Sequence, residues 1–122
     1  MDVIAYNPQT NELTHMETSV DANSWEKRKI KFQRKFRYAK EHYMEVFSFK
    51  TNDMKPIQVA IVGFNRIRDE HRSFGENIKI IHISEFIKEI TESLKQKDPQ
   101  RDTVPEGYPL LRAIQYSSFY NR

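Results

Sequence analysis

Residues 2–19 read Asp2-Val3-Ile4-Ala5-Tyr6-Asn7-Pro8-Gln9-Thr10-Asn11-Glu12-Leu13-Thr14-His15-Met16-Glu17-Thr18-Ser19, and the fold follows from how this stretch divides. An apolar run from Asp2 to Tyr6 and an alternating run from Leu13 to Ser19 flank Asn7-Pro8-Gln9-Thr10-Asn11, a cluster of turn formers. That is the pattern of an antiparallel hairpin. Folding about the middle of the turn sets Tyr6 opposite Leu13, Ile4 opposite His15 and Asp2 opposite Glu17. Directly opposed side chains have Cβ atoms about 5 Å apart, and two carboxylates that close repel unless a cation or a proton lies between them. A divalent metal ion is one solution. A slip of one residue would send one carboxylate to the other face, and a solvated Asp2 with an exposed Glu17 is the simpler arrangement of the same residues.

At 122 residues the chain is long enough to bury a real core and reads as one domain. Charged residues make up 30% and hydrophobic ones 38%, the balance of a soluble globular protein. No apolar stretch approaches the roughly 20 residues needed to span a membrane, and Met1 leads straight into a strand instead of a signal peptide. A cytoplasmic protein with no membrane partner is expected. Cysteine is absent, so any metal must be held by oxygen or histidine. With only three glycines there is no phosphate-cradling loop, which argues against a nucleotide-binding enzyme.

The net charge is +3, but its distribution is uneven: residues 27–40 carry eight cations and no acid, leaving −5 for the remainder. A basic stripe on an otherwise acidic domain is the footprint of a phosphate-backbone contact, and also that of a solvated helix face. Asp21-Ala22-Asn23-Ser24 precedes this segment, and Asn23 with Glu26 has capping-box spacing. Trp25, Phe32, Phe36, Ala39 and Tyr43 then fall on one buried stripe of a helix running to about Tyr43 or Val46. Arg28, Lys35 and His42 line one edge of the stripe, and Lys27, Lys31, Arg34 and Arg37 lie toward the outer face. Residues 57–64 read as a buried strand, 65–76 as a charged loop with Arg66, Arg68, His71 and Arg72, and 77–83 as a strand apolar on both faces. Ser84 is the expected cap of a helix with Phe86, Ile87, Ile90 and Leu94 inward, ended by Lys95–Pro99. A loop follows to Pro109, then a turn or helix over Leu110–Tyr116. The order strand, strand, helix, strand, strand, helix predicts an α/β fold, a mixed sheet flanked by helices, with residues 97–122 as a C-terminal extension.

Over residues 2 to 96 this arrangement resembles the PD-(D/E)XK, or restriction-endonuclease-like, nuclease superfamily. Asp2 matches the family aspartate that begins one strand, Glu17 the glutamate of the next, and Thr18 the intervening position whose carbonyl often helps bind metal. The helix after residue 24, the strand at 57–64 and Asn77–Ile90 match the later elements. The resemblance implies a Mg²⁺- or Mn²⁺-dependent hydrolase of DNA or RNA phosphodiester bonds, with Asp2, Glu17 and the Thr18 carbonyl as ligands. Two positions depart from the pattern. Ser19 stands where the family has its lysine; in some members that lysine has moved to the following helix, and Lys35 is the leading substitute, with Lys29 second. The helix and strand that precede the family aspartate are also absent here, through truncation or through an open sheet edge that a homodimer contact would cover.

The same resemblance assigns Lys27, Lys31, Arg34, Arg37 and the Arg66–Arg72 loop to nucleic-acid backbone contacts. His15, on the Asp2/Glu17 face, is either a base or ligand or a packed core histidine. Ser19 has no partner set for nucleophilic catalysis, Asp21 reads as a cap before a third ligand, and Trp25 and Phe32 read as packing. The alternative to an enzyme is a non-catalytic nucleic-acid-binding or oligomeric interaction domain that keeps the fold.

Overall fold

The structure, a computed structural model, describes residues 2–47, 54–63 and 68–121. Two strands, β1 (Val3–Asn7) and β2 (Glu12–Ser19), form the hairpin, and α1 (Trp25–Val46) follows. Next come β3 (Lys55–Val62), a 3₁₀ turn at Asp69–Arg72, β4 (Lys79–His82), α2 (Ile83–Lys95) and α3 (Pro109–Tyr120). The sheet order is β1-β2-β3-β4, antiparallel between β1 and β2 and parallel thereafter, so the protein is mixed α/β. A parallel neighbour needs a crossover, and the long α1 between β2 and β3 supplies it. The chain divides into two compact units, Met1–Ile83 and Ser84–Arg122. Among the described residues no helix is long and apolar enough to cross a membrane.

The hairpin register pairs Ile4 with His15 and Tyr6 with Leu13. Asn11 closes the turn with φ of 56°, the left-handed region that asparagine tolerates, and its side chain accepts a 2.6 Å hydrogen bond from the Tyr6 hydroxyl. Alternation along β2 buries Leu13, His15, Glu17 and Ser19 on one face, and α1 buries Phe32, Phe36, Ala39 and Tyr43. Two apolar clusters result. One joins Phe32 and Phe36 to Ala60, Val62, Phe74 and Ile78; the other joins Leu13 to Ala39 and Tyr43.

Several boundaries differ from the sequence reading. The cap of α1 is Ser24, whose hydroxyl accepts from the Lys27 N–H, while the Asn23 N–H is taken by Asp21. Trp25 is only half-buried, stacked between Phe74 and His71. Strand β4 starts two residues late because Gly75, Glu76 and Asn77 all have positive φ, a turn that ends only with the Ile78 N–H bonded to the Gly75 carbonyl. Ser84 is the second residue of α2, not its cap. Ile87 is exposed, and Phe86, Ile90 and Leu94 are half-buried. In the second unit, Gln115 is buried and ties the preceding loop together, accepting from the Val104 N–H and donating to the Lys97 and Asp102 carbonyls. That adds side-chain ties to a loop whose own backbone bonds are those of turns.

Candidate functional site

Glu17 lies on the buried face of β2 and is 1% exposed. A buried carboxylate needs partners for its lone pairs, and both oxygens have one. Oε1 lies 2.9 Å from His15 Nε2, and Oε2 accepts from Lys35 Nζ at 3.1 Å. Lys35 reaches it from α1 across the edge of the apolar stripe, keeping its side chain 42% exposed. Lys35 is therefore the one cation in contact with both the acid and solvent at this point of the fold, among the described residues.

His15 is fully buried and continues the network inward. Its Nδ1 lies 2.6 Å from the Tyr43 hydroxyl, which accepts from Gln58 Nε2 at 2.9 Å. Gln58 also donates to the Phe36 carbonyl of α1. Edge-on contacts from Phe36 and Tyr43 hold the imidazole plane.

Asp2 stands just before β1. Its Oδ2 accepts from the Thr18 N–H at 2.8 Å and from the Thr18 hydroxyl at 2.9 Å. A strand residue's N–H and C=O leave on the same edge, and neighbours alternate. Ser19 gives its carbonyl to the Gly63 N–H on the β3 side. The Thr18 carbonyl therefore leaves on the β1 side, where β1 has already ended.

These contacts set the charges. Burial would raise the Glu17 pKa, but hydrogen bonds from His15 and Lys35 and the Lys35 charge outweigh it and hold the carboxyl below its ordinary value. Asp2 is lowered by the Thr18 N–H and hydroxyl, with the Lys35 charge adding to the effect. Burial raises the Tyr43 phenol and lowers the His15 imidazole, the latter against the opposing pull of Glu17. The site thus holds ionised Asp2 and Glu17 beside a neutral histidine.

A pH dependence follows. In the unfolded chain His15 takes a proton near 6.5, and the folded ring resists it. The unfolded state then binds more protons, so stability falls as pH drops through that value. Asp2 and Glu17 act lower, because the stability from their depressed pKa values is present above about 4 and lost as pH falls. Urea midpoints are expected to decline between about pH 7.5 and 5.5, and a His15→Gln variant to show a shallower decline in that window.

Ser19 is committed elsewhere. Its hydroxyl donates to Asp21 at 2.7 Å. Asp21 also receives Arg28 and Lys31 at 3.1 and 3.2 Å. Those contacts, with the Asn23 N–H, hold the Asp21 carboxyl well below the usual carboxylate range. Arg28 is 1% exposed, so the edge row of α1 reaches deeper into the fold than its charge suggested. Lys29 lines a separate cavity of about 360 Å³ with Trp25, Glu26, Glu70, His71 and Ser73, and it pairs with neither Asp2 nor Glu17.

The basic segment is less free than its count implies. Of its four outward cations, Lys31 pairs with Asp21 and Arg37 with Glu76, leaving Lys27 and Arg34 exposed without an acid among the described residues. In the following loop Arg68 faces Glu70 and Arg72 faces Asp69, and Arg66 lies outside the described residues. Among the described residues no three His, Asp or Glu side chains gather into a metal-ligand set. The hydrogen-bonding roles of Tyr43, read only as a residue of the buried stripe, and of Gln58 escaped the sequence reading. Their signal was polarity out of place, a hydroxyl on the phenylalanine stripe and an amide in an apolar strand. No family model, curated protein or solved structure matches this chain.

Proposed function

We propose that this chain is a metal-dependent nuclease that hydrolyses the phosphodiester bonds of DNA or RNA. The observation that carries the reading is the 3.1 Å contact between Lys35 and Glu17, on the strand whose next residue, Thr18, binds Asp2. The resemblance implies two carboxylates and a backbone carbonyl as metal donors with a lysine beside them, and Lys35 on Glu17 with Asp2 on Thr18 support that reading. Asp2 Oδ1 has no partner among the described residues, and carboxylate oxygens keep a second lone pair when one is used. An oxygen-preferring cation such as Mg²⁺ or Mn²⁺ suits such donors. Bound by Asp2, Glu17 and the Thr18 carbonyl, it would make a bound water more acidic and draw charge from the scissile phosphate.

The protein's own groups supply the rest. Lys35 presents a fixed positive charge where negative charge develops, or orients the attacking water. Lys27 and Arg34 offer phosphate contacts that carry no base information. Nucleic-acid binding is then sequence-tolerant and salt-dependent. With those two cations on phosphates, log affinity should fall with log salt at a slope of about −2. Reversing both charges should weaken every duplex alike, as read by fluorescence anisotropy. A slope near −4 would instead require Lys31 and Arg37 to leave their acids.

Cleavage is tested with linear and supercoiled DNA and single-stranded RNA in Mn²⁺, comparing wild type with Glu17→Gln. Activity in wild type that is lost in the variant is the expected result; equal activity in both would mean that the cleavage is not this protein's. One observation favours a second reading. Both Glu17 oxygens already have protein partners and, among the described residues, no third acid joins Asp2 and Glu17, as befits a non-catalytic nucleic-acid-binding domain that keeps the fold. Binding without cleavage by wild type would select it.

A further inference from the structure

We infer that His15 is a positioning residue that fixes the orientation of Glu17, through a hydrogen-bond relay whose direction is set by the Phe36 backbone carbonyl. The inference rests on the metal-site reading of Glu17 and names how that site is held.

The direction of every proton follows from one end. The Phe36 carbonyl only accepts, so the Gln58 atom 2.9 Å away is the amide nitrogen. The same NH₂ group donates its other proton to the Tyr43 oxygen at 2.9 Å. The Tyr43 hydroxyl has one proton, which goes to His15 Nδ1 at 2.6 Å. Nδ1 is then an acceptor, so the neutral ring carries its proton on Nε2 and donates it to Glu17 Oε1 at 2.9 Å. Glu17 is left with Oε2 turned toward Lys35. His15, Glu17, Tyr43 and Gln58 are all buried, so water does not compete for these bonds.

Partners behind a metal ligand fix its orientation, and their loss commonly weakens metal binding about 10- to 100-fold. Without His15, Oε1 loses the donor that the buried relay aims at it.

The test has two arms. A long-range proton–nitrogen correlation spectrum of wild type, at a single neutral pH, reads which His15 nitrogen carries the proton. Nε2 is expected, and a proton on Nδ1 would overturn the relay. Mn²⁺ affinity is then measured by calorimetry. Tyr43→Phe keeps the ring but removes the donor to Nδ1, and is expected to mix the tautomers and weaken Mn²⁺ binding about tenfold. His15→Leu should weaken it further. His15→Gln, whose amide both accepts and donates, should recover most of the loss. Wild-type affinity in both Tyr43→Phe and His15→Leu, with Glu17→Gln abolishing binding, would overturn the positioning role while sparing the metal site. No Mn²⁺ binding by wild type would instead remove the metal-site reading and the positioning role built on it, while an Nε2 proton would still uphold the relay. Circular dichroism on each variant confirms that the fold persists.

Discussion

Lys35→Met is expected to lower Mn²⁺-dependent cleavage by about a hundred- to a thousand-fold while leaving Mn²⁺ affinity within a few-fold of wild type. Methionine keeps much of the aliphatic stem and removes the charge. An ammonium is not a metal ligand, so the proposed donor set of Asp2, Glu17 and the Thr18 carbonyl would persist. What disappears is the fixed positive charge 3.1 Å from Glu17. Losing one preorganised group of this kind costs about 2.7–4 kcal/mol of transition-state stabilisation, which is the fold-change stated. Glu17→Gln should remove both cleavage and metal binding. The pair of variants thus separates a catalytic lysine from a structural one. Full cleavage by Lys35→Met would mean that the ion pair only stabilises the fold.

Phe36→Ala should give the largest loss of stability. Phe36 is 1% exposed, stacks against Phe32 and presses edge-on against His15. Emptying such a site costs about 3–5 kcal/mol, against a total of about 5–15 kcal/mol for a typical domain. The urea midpoint should fall sharply with little change in slope. Phe36→Leu should recover much of the loss. Because the same ring walls the imidazole, the alanine variant should also lose Mn²⁺ affinity, at temperatures where circular dichroism still reports a folded chain. A midpoint close to wild type would mean that the two apolar clusters do not depend on this ring.

The hairpin was legible because its information is local. Turn formers at residues 7–11 fix the fold point, and alternation from Leu13 onward fixes the face, so Ile4/His15 and Tyr6/Leu13 follow from counting. The stripe of α1 was legible for the same reason. Arg28 was not: in a run of cations an arginine reads as solvated, and its contact with Asp21, seven residues upstream and brought alongside by the β2–α1 connection, helps make its burial tolerable. Ser19 shows the converse. Its departure from the nuclease pattern was visible in the sequence, but its bond to Asp21 was not. The inner relay joins residues 28 and 15 positions apart, and such side-chain bonds leave no periodic trace. The β4 boundary was missed because two of the three positive-φ residues, Glu76 and Asn77, are not glycine.

Asp2 bonds to Thr18 one residue ahead of β1, and this bears on how the protein should be purified. A polyhistidine tag fused ahead of Asp2 would bring several imidazoles to the end of the hairpin, within reach of the very carboxylates whose cation binding is in question. Nickel carried over from the column, or manganese held by the tag, would then register as occupancy of Asp2 and Glu17. A bulky leader would also crowd the Thr18 edge. A tag at the other end of the chain, or one removed without leaving histidines, keeps the measured stoichiometry a property of the hairpin alone.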